Sequence, residues 1–367
     1  MRCVGRRWTR LADVIFGSDN QAGASDRVLD AIGDAYRSHH DAYGADTLTA
    51  AAVEALRETF DTDLTACFVS SGTAANMLAL STMVQPWDGV VCHHQAHILL
   101  DESTGPSLFT GGASMLPVPD RDLRLTPEGL TSMLDRLPSD GPHNVRPRAL
   151  SITQANECGQ VHTVDEINAL AEVARDRNLR VHMDGARFAN AVASLGVHPA
   201  DVTWRAGVDV LCLGASKNGA VAAEAIVFFD RDLAVDVEYR LKRTGHLTSK
   251  ARLYGAQFLA WLADDHWLDL ARVANRQATR LRTELSRLER VRLAWPCESN
   301  ETFVVFDRTL FDHLMAAGAS MYEWYPNALP AGDELADGEV LARLVTSFAT
   351  TDAHIDEFVA AVRTAGD

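Results

Sequence analysis

Two short segments of the sequence carry residue types that could do covalent chemistry. His182-Met183-Asp184-Gly185-Ala186-Arg187 closes a predicted strand at 180–183, and Ser216-Lys217-Asn218-Gly219 follows a second predicted strand at 208–213. Taken singly, Asp184 would be a helix cap and Lys217 a solvated charge. Together they indicate the binding of an aldehyde cofactor with a pyridine ring. A lysine amine can form a Schiff base with the aldehyde, while an aspartate keeps the pyridine nitrogen protonated.

A third segment offers a seat for an anion. Ser70-Ser71-Gly72-Thr73-Ala74-Ala75-Asn76 follows a predicted strand at 66–69 and opens a helix, so its free amide groups and the helix dipole favour a phosphate there. The alternative is a simple N-cap after a turn. Neither G-x-x-x-x-G-K-[ST] nor G-x-G-x-x-G occurs, which disfavours nucleotide chemistry. A lysine, an aspartate and a phosphate seat are the three features that pyridoxal phosphate needs.

The elements that must position these segments predict an α/β core. Short β-branched runs alternate with helix-period segments, which favours a largely parallel sheet with crossover helices. The predicted strands are 66–69, 89–92, 114–118, 149–153, 180–183, 208–213 and 225–229, and the predicted helices are 47–60, 74–83, 127–137 and 165–177. A continuously helical stretch over 232–289, then short strands at 303–306, 320–324 and 341–348 and a helix from Asp352, indicate a smaller α+β domain.

Composition and charge limit the classes of partner. The 367 residues include 34 basic and 50 acidic side chains, for a net charge of −16. Such a field disfavours nucleic acids and anionic membranes as partners. Arg2, Arg6, Arg7 and Arg10 form one basic patch, which we interpret as the frayed N-terminus of a cytosolic protein and not as an organelle presequence. No apolar run reaches the roughly 18 residues that a membrane span needs, which predicts a soluble protein.

Cysteine and histidine spacing predicts no metal site. The six cysteines are at least 25 residues apart, so no C-x-x-C pair exists and reduced thiols are expected. His93, His97 and Asp101 would share one face of a helix, but the glutamate of H-E-x-x-H is missing. A serine hydrolase is disfavoured as well, because no G-x-S-x-G elbow occurs.

Six motifs follow one another along the chain in an informative order. They are Gly17-Ser18-Asp19-Asn20, Tyr43-Gly44-Ala45-Asp46, Ser71-Gly72-Thr73-Ala74-Ala75-Asn76, His182-Met183-Asp184-Gly185-Ala186-Arg187-Phe188-Ala189-Asn190, Ser216-Lys217-Asn218-Gly219 and Arg343-Leu344-Val345-Thr346. This pattern resembles fold-type I pyridoxal-phosphate enzymes, specifically the low-specificity L-threonine aldolase family. The resemblance implies a transferase-like large domain with a mainly parallel seven-stranded sheet and a smaller C-terminal α+β domain. We predict an N-terminal segment at 1–17, the large domain at 18–250 and the small domain at 251–367.

The resemblance implies roles for residues around the cofactor. Lys217 would form the Schiff base with pyridoxal 5'-phosphate, and Asp184 would pair with the pyridinium nitrogen. Gly72 and Thr73 would bind the phosphate. His97 looks like the family's histidine that stacks on the cofactor ring, and it is a candidate to accept the proton of the substrate's β-hydroxyl group.

The resemblance also implies a set of substrate contacts. Arg187 and Arg343, with Ser18, look like the clamp on the substrate α-carboxylate, and two guanidinium groups suit that planar group. Arg187 counts among the cofactor-binding residues too. Tyr43 and Lys250 look like residues that a neighbouring subunit lends to the site, the first toward the substrate and the second toward the cofactor. The alternative for Lys250 is a solvated helix charge.

One position departs from part of the family. Where some members carry a histidine close to the substrate, this chain has Glu157, within Asn156-Glu157-Cys158-Gly159. A glutamate pressed against a buried cofactor would have a raised pKa and could transfer protons. The alternatives for the general base are therefore His97, Glu157 and a bound water, and Glu157 itself could be a turn carboxylate facing solvent.

The resemblance implies a carbon–carbon lyase that uses pyridoxal phosphate. It would cleave L-threonine, L-allo-threonine or related β-hydroxy-α-amino acids such as phenylserine at the Cα–Cβ bond, releasing glycine and an aldehyde. We expect a cytoplasmic homo-oligomer, a dimer or a homotetramer, with sites between subunits. Two alternatives stay open, because the same three features serve other reactions. They are another fold-type I enzyme, such as an aminotransferase or a β-eliminating lyase, and a non-catalytic protein that binds the cofactor or amino acids.

Overall fold

The computed structural model describes residues 14–119, 123–138 and 140–365. The basic patch of Arg2, Arg6, Arg7 and Arg10, together with Cys3, lies outside these residues. Among the helices that the structure describes, none has the length and apolar character that crossing a membrane requires.

A sheet of seven strands forms the centre of the described chain. Its strands are β1 (Thr65–Val69), β2 (Asp88–His93), β3 (Ser114–Val118), β4 (Arg146–Thr153), β5 (Arg180–Gly185), β6 (Val210–Gly214) and β7 (Glu224–Phe228). Their order is β1-β7-β6-β5-β4-β2-β3, and only β7 runs antiparallel to its neighbours among these strands. The predicted mainly parallel seven-stranded sheet is confirmed.

Helices surround this sheet and continue beyond it. The α-helices of the described residues are α1 (Asp26–Ala35), α2 (Thr47–Phe60), α3 (Gly72–Met83), α4 (His97–Leu100), α5 (Gly105–Phe109), α6 (Pro127–Arg136), α7 (Val164–Asp176), α8 (Phe188–Leu195), α9 (Val237–Arg243), α10 (Arg252–Leu262), α11 (His266–Leu285), α12 (Arg308–Ala316) and α13 (Asp352–Thr364). Local signals set several of these bounds. The Asp46 carboxylate accepts the backbone N–H of Thr49 at the start of α2, and Asp61 ends that helix in the left-handed conformation.

Both faces of the large sheet are buried, because successive side chains of a strand point to opposite sides. In β6, Leu211 and Leu213 pack in the apolar cluster that includes α2, α7 and α10. Val210 and Cys212 pack on the other side, in the cluster that includes α3 and α9. The sheet is therefore the middle layer between two layers of helices.

A second, antiparallel sheet follows in the chain. Its strands are β8 (Arg292–Leu293), β9 (Glu301–Asp307), β10 (Tyr322–Glu323) and β11 (Glu339–Val345), in the order β10-β11-β9-β8. Helices α11, α12 and α13 share an apolar cluster with it. Phe16 joins this cluster, with its ring edge-to-face on Phe358 at 5.2 Å. The predicted smaller α+β unit is confirmed, while the domain boundaries at residues 18 and 251 stay a prediction.

One expectation about the second half of the chain is wrong, and one of its helices was not predicted. The helical stretch predicted over 232–289 is broken between α9 and α10, where Gly245 has a φ of 79°, and again before α11, where Asp264 and Asp265 both have a φ of 56°. Positive φ angles cannot continue a right-handed helix. Helix α12 was not predicted, although its N-cap is visible in the sequence, since Asp307 accepts the N–H of Leu310.

The topology places the chemically interesting segments at one edge. Strands β4, β5 and β6 are parallel, so their carboxyl ends share an edge of the sheet. Strand β1 is antiparallel to β7, which is antiparallel to β6, so β1 also ends at that edge. The N-terminus of α3, after β1, therefore faces the loops that follow β5 and β6. This edge is where open α/β sheets bind ligands.

Candidate active site

A cavity of about 310 Å³ opens at this edge of the sheet. Seven of the predicted site residues line it: Gly72, Thr73, His97, Glu157, Asp184, Arg187 and Lys217. The other four predicted residues, Ser18, Tyr43, Lys250 and Arg343, are not among those that line it. The roles assigned to these residues stay predictions.

The N-terminus of α3 forms one wall. Ser71 caps the helix, since its Oγ accepts the N–H of Ala74 at 3.2 Å. The N–H groups of Gly72 and Thr73 have no partner inside the helix, because the first amides of any helix lack one. A Cβ built on Gly72 would meet no atom within 4 Å, so the space beside it is open. The wall can take an anion such as a phosphate.

Asp184, at the end of β5, is fixed through both carboxylate oxygens. Its Oδ1 accepts the N–H of Ala186 at 3.0 Å, and its Oδ2 accepts Nδ2 of Asn76 at 2.8 Å. Asn76 lies on the first turns of α3, so the helix that carries the anion seat also orients the carboxylate. A charged group held in this way can pair with one cationic nitrogen of a ligand.

His97 opens α4 on the other side of the cavity and is held by a buried glutamate. Its Nδ1 donates to Glu102 Oε1 at 2.9 Å, and the same oxygen accepts Nδ2 of Asn76 at 3.0 Å. Burial disfavours the protonated ring, but the hydrogen bond to Glu102 and the charge of Asp184 outweigh burial and raise the pKa of His97. Because Nδ1 is engaged, Nε2 is the ring atom left for a ligand.

Glu157 does not face solvent as a turn carboxylate. Its Oε1 accepts the backbone N–H of His97 at 2.7 Å and the hydroxyl of Thr153 at 3.2 Å. Oε2 is buried and has no hydrogen-bond partner within the described residues. Burial first, and then the charge of Asp184, raise the pKa of Glu157 to about 7. The carboxyl group is therefore suited to exchange a proton near neutral pH.

Lys217 lies in the short turn after β6. Burial, and then the charge of Arg187, lower the pKa of its amine, which favours the neutral nucleophilic form. Glu224 of β7 also lines the cavity, and it accepts the N–H of Ala215 at 3.1 Å. Burial raises the pKa of Glu224 to about 7.

A buried cluster of ions borders the cavity. Nε and Nη2 of Arg187 donate to the two oxygens of Asp19 at 2.8 and 3.0 Å, and Nδ2 of Asn300 donates to the same carboxylate at 3.0 Å. Burial opposes the charge of Asp19, but Arg187 outweighs it and lowers the pKa of this carboxyl group. Arg343 of β11 lies 3.6 Å from Glu301, which also contacts Arg187 at 3.5 Å. Glu301 therefore links Arg343 to Arg187, which lines the cavity.

Ser18 has a local role in the described structure. Its Oγ accepts the N–H of Asn20 at 3.2 Å and caps a short turn. This turn presents Asp19 to Arg187. Ser18 is therefore next to the ion cluster. Its contact with a substrate carboxylate stays a prediction.

Tyr43 and Lys250 lie together on the surface, outside the cavity of their own chain. The N–H of Tyr43 donates to the carbonyl of Ser249 at 3.1 Å, and half of the Tyr43 side chain is exposed. The amine of Lys250 stands 5.8 Å from the ring centre of Tyr36, and the amine of Lys242 stands 5.1 Å from that of Tyr43. These side chains form one aromatic and cationic patch.

The cavity fits pyridoxal phosphate better than a metal ion. The described residues contain no group of three or more His, Cys, Asp or Glu side chains that could hold a metal. They do bring together an anion seat at Gly72 and Thr73, a carboxylate at Asp184 and an amine of lowered pKa at Lys217, which match the phosphate, the ring nitrogen and the aldehyde of the cofactor.

Sequence reasoning did not single out several polar residues of the site. Asn76 and Asp19 stand inside motifs that carried the resemblance, and their position there was a usable signal. Glu102 follows His97 by five residues, but no general spacing rule links them. Asn300 and Glu301 come from the second sheet, and nothing local in the sequence connects them to Arg187.

Comparisons with known proteins agree with this geometry. A family model described as beta-eliminating lyase matches residues 16–309. The chain is 40% identical over 307 residues to the low specificity L-threonine aldolase of Pseudomonas aeruginosa, covering 84% of this chain and 88% of that protein. It is 37% identical over 348 residues to the enzyme of the same name from a Pseudomonas strain, covering 95% and 96%.

A solved structure is also similar. The threonine aldolase of Leishmania major superposes with a TM-score of 0.87 and 28% identity, covering 95% of this chain and 98% of that one. The match extends across both sheets, so the predicted fold and the predicted resemblance are confirmed.

Proposed function

This chain belongs to the beta-eliminating lyase family, among its low-specificity L-threonine aldolases, and we propose that it cleaves β-hydroxy-α-amino acids to glycine and an aldehyde. The substrates are L-threonine, L-allo-threonine and related amino acids such as phenylserine, and the cofactor is pyridoxal 5'-phosphate. One observation carries the proposal. Lys217, Asp184 and the N-terminus of α3 face one cavity, and two proton-carrying side chains, His97 and Glu157, line the same cavity.

In the proposed mechanism the chain holds the cofactor at three points and leaves the reacting bond exposed. The N–H groups of Gly72 and Thr73 bind the phosphate, Asp184 holds the ring nitrogen protonated, and Lys217 provides the covalent attachment. Bound in this way, the cofactor supplies an electron sink for the Cα–Cβ bond that breaks. Arg343, with Arg187, holds the substrate carboxylate and so decides which bond at Cα is oriented for cleavage.

The two proton-carrying side chains have different environments, which separates their roles. Glu157 has a pKa of about 7 and a free Oε2, so it removes the proton of the β-hydroxyl group. His97 is held by Glu102, which favours its protonated ring, so it would lie against the cofactor ring and donate a hydrogen bond from Nε2. A carboxylate base beside a hydrogen-bond donor suits a hydroxyl group that becomes an aldehyde.

The direct test is an assay of the purified protein loaded with pyridoxal phosphate. L-threonine, L-allo-threonine and L-phenylserine are supplied separately, and glycine and aldehyde are measured together. Equal amounts of the two products support the aldolase. A turnover that needs added 2-oxo acid and releases no aldehyde indicates an aminotransferase, and cofactor binding without any product indicates a binding protein.

We expect His97→Phe to lower kcat by about 10²-fold while the cofactor stays bound, because phenylalanine keeps the stacking and loses the ring nitrogens. Glu102→Gln keeps the imidazole but removes the charge that holds its proton, so it should lower kcat less and shift its pH profile to lower pH. The exposed neighbour Asp101 provides a control, Asp101→Asn, with parental kcat. A His97→Phe enzyme of parental activity would restrict His97 to stacking.

The pH profile should identify Glu157 as the base. Because its pKa is about 7, the fraction of carboxylate, and with it kcat at saturating substrate, rises as the pH passes upward through about 7. Glu157→Gln should lower kcat by about 10²-fold to 10³-fold and remove this rise. Glu172→Gln, on the exposed side of α7, is the matched control. An unchanged profile in Glu157→Gln would assign the base to another group.

We further propose that the active enzyme is a homo-oligomer, a dimer or a homotetramer, in which each subunit lends Tyr43 and Lys250 to its neighbour's site. The patch that holds them is exposed and lies outside the cavity of its own chain, which supports this arrangement. A cytoplasmic location is part of the proposal. The five cysteines of the described residues are free thiols, which suits a reducing compartment.

Mixed assemblies test the lending of Lys250. Lys217→Ala and Lys250→Ala proteins are each expected to be nearly inactive, but together they regain about a quarter of parental activity, because half of the dimers are mixed and each of these has one intact site. Lys217→Ala mixed with a Lys217→Ala, Lys250→Ala double variant is the control, and it regains none. No recovery in the first mixture would place both lysines in the site of one chain, and a Lys250→Ala protein of parental activity would place Lys250 outside the site.

A further inference from the structure

Glu301 occupies an unusual position for a carboxylate. It begins β9, its side chain is fully buried, and its Oε1 lies 3.5 Å from Nη1 of Arg187 and 3.6 Å from Nη1 of Arg343. Neither carboxylate oxygen accepts a hydrogen bond from the described residues. An internal carboxylate therefore stands between the two guanidinium groups that the proposed function assigns to the carboxylate of the substrate.

The charges of this cluster balance without a substrate. Asp19 engages the Nε and Nη2 edge of Arg187, so the remaining Nη1 is the group that faces Glu301. Arg343 stacks on Trp324, with 4.2 Å between its guanidinium carbon and the ring centre, and it also turns Nη1 to Glu301. Two arginines thus face two carboxylates. A further carboxylate would enter a neutral, buried cluster, where an uncompensated charge is strongly disfavoured.

Within the described part of the chain, the surroundings of Glu301 offer no replacement charge. The charged or titratable groups that face it come from several elements, and they are Asp19, Arg187, Lys217, Arg343, the thiols of Cys158 and Cys297, and Arg282, which donates to the Glu301 main-chain carbonyl. Burial raises the pKa of both thiols, so they stay neutral. Burial lowers the pKa of Lys217, and in the proposed function its amine holds the cofactor, so it does not supply this charge.

We propose that Glu301 takes up one proton from solvent when the substrate carboxylate binds between Arg187 and Arg343. The proton converts Glu301 from a carboxylate to a carboxylic acid, so the cluster again holds two arginines and two carboxylates. Glu301 is therefore an internal competitor of the substrate, and it sets both the affinity for the amino acid and the way this affinity changes with pH. This inference rests on the proposed function of the two arginines.

The buried position favours such a change of protonation. Burial raises the pKa of Glu301 against the opposing charge of Arg187 and Arg343. A substrate carboxylate that engages both arginines would weaken this opposition and raise the pKa of Glu301 further. Binding then carries a proton with it, and by linkage the affinity falls by up to about tenfold for each unit of rising pH within that range.

The test measures the proton directly. The probe is 3-hydroxybutyrate, which is threonine without its α-amino group, so it can engage the arginines but cannot react with the cofactor. Binding to the holoenzyme is followed by calorimetry between about pH 6 and pH 9, in two buffers of different ionisation enthalpy, which yields the number of protons taken up. The parent, Glu301→Gln, Glu298→Gln and Arg343→Ala proteins are compared.

The parent should take up close to one proton at some pH in this range. Glu301→Gln, which is isosteric and uncharged, should take up none and bind the probe about tenfold more tightly at the upper end of the range. Glu298→Gln is the matched control, since Glu298 pairs with Arg124 and not with the cluster, and it should behave as the parent.

The outcomes separate the inference from the function on which it rests. Parental binding without proton uptake overturns the inference, and so does the same uptake in Glu301→Gln. The first of these needs only the parent protein, so it decides even where the variant does not fold. Arg343→Ala binding the probe as tightly as the parent would instead overturn the proposed arginine clamp.

Discussion

Replacing Lys217 by alanine is expected to abolish both the covalent attachment of the cofactor and nearly all cleavage, with a loss in kcat of at least about 10⁴-fold. Lys217 lies in the turn after β6, lines the cavity, and has an amine whose pKa is lowered by burial and by Arg187. No other lysine of the same chain can replace this amine, because the sequence contains only two others, Lys242 and Lys250, and neither lines the cavity. Both of them lie on the surface patch near Tyr36 and Tyr43.

Because the chain has only three lysines, the lysine that carries the cofactor can be identified directly. Borohydride reduction of the parent holoenzyme should leave the pyridoxyl group on a single peptide, the one that contains Lys217, as read by mass spectrometry. The Lys217→Ala protein should lose the visible absorption of the cofactor, whereas Lys242→Ala should keep it. Visible absorption that persists in Lys217→Ala, or a label on another lysine, would contradict the assignment.

The sequence predicts those parts of the site that depend on strand ends. Asp184 and Lys217 each follow a buried strand of a parallel sheet, and such strands must end at the same edge, so their meeting was predictable from the alternation of elements alone. The N-terminus of α3 was predictable for the same reason. These contacts are set by the central sheet, whose apolar runs are strong signals.

The parts that escaped sequence reasoning depend on contacts between distant segments. Arg187 was predicted as a site residue, but its pairing with Asp19 and Glu301 was not, because the three residues meet from separate regions of the chain. The role of these charges depends on their burial and on their pairing. Only the packed structure shows this burial and pairing. The continuous helix predicted over 232–289 was wrong for a related reason. The left-handed turn at Asp264 and Asp265 redirects the chain although neither residue is a glycine or a proline.

Asp184→Asn should lower kcat by about 10³-fold, or about 4 kcal/mol in the barrier, while the cofactor stays attached to Lys217. Asparagine can keep the N–H of Ala186 as a donor to its oxygen, but it has no negative charge to hold a proton on the ring nitrogen of the cofactor. Without that proton the ring accepts electrons poorly, so bond cleavage slows although binding persists. The amide of Asn76, which now donates to Asp184, would face another amide.

Two readouts separate this electronic role of Asp184 from a structural one. Single-turnover release of aldehyde should slow by the full factor, while the affinity for the carboxylate probe 3-hydroxybutyrate stays near the parental value, because Arg343 and Glu301 are unchanged. Asp176→Asn, at the exposed end of α7, is the control and should match the parent in both. Parental kcat in Asp184→Asn would remove Asp184 from the ring nitrogen. Loss of probe binding would mean instead that the carboxylate organises the whole cavity, through Asn76 and the first turn of α3.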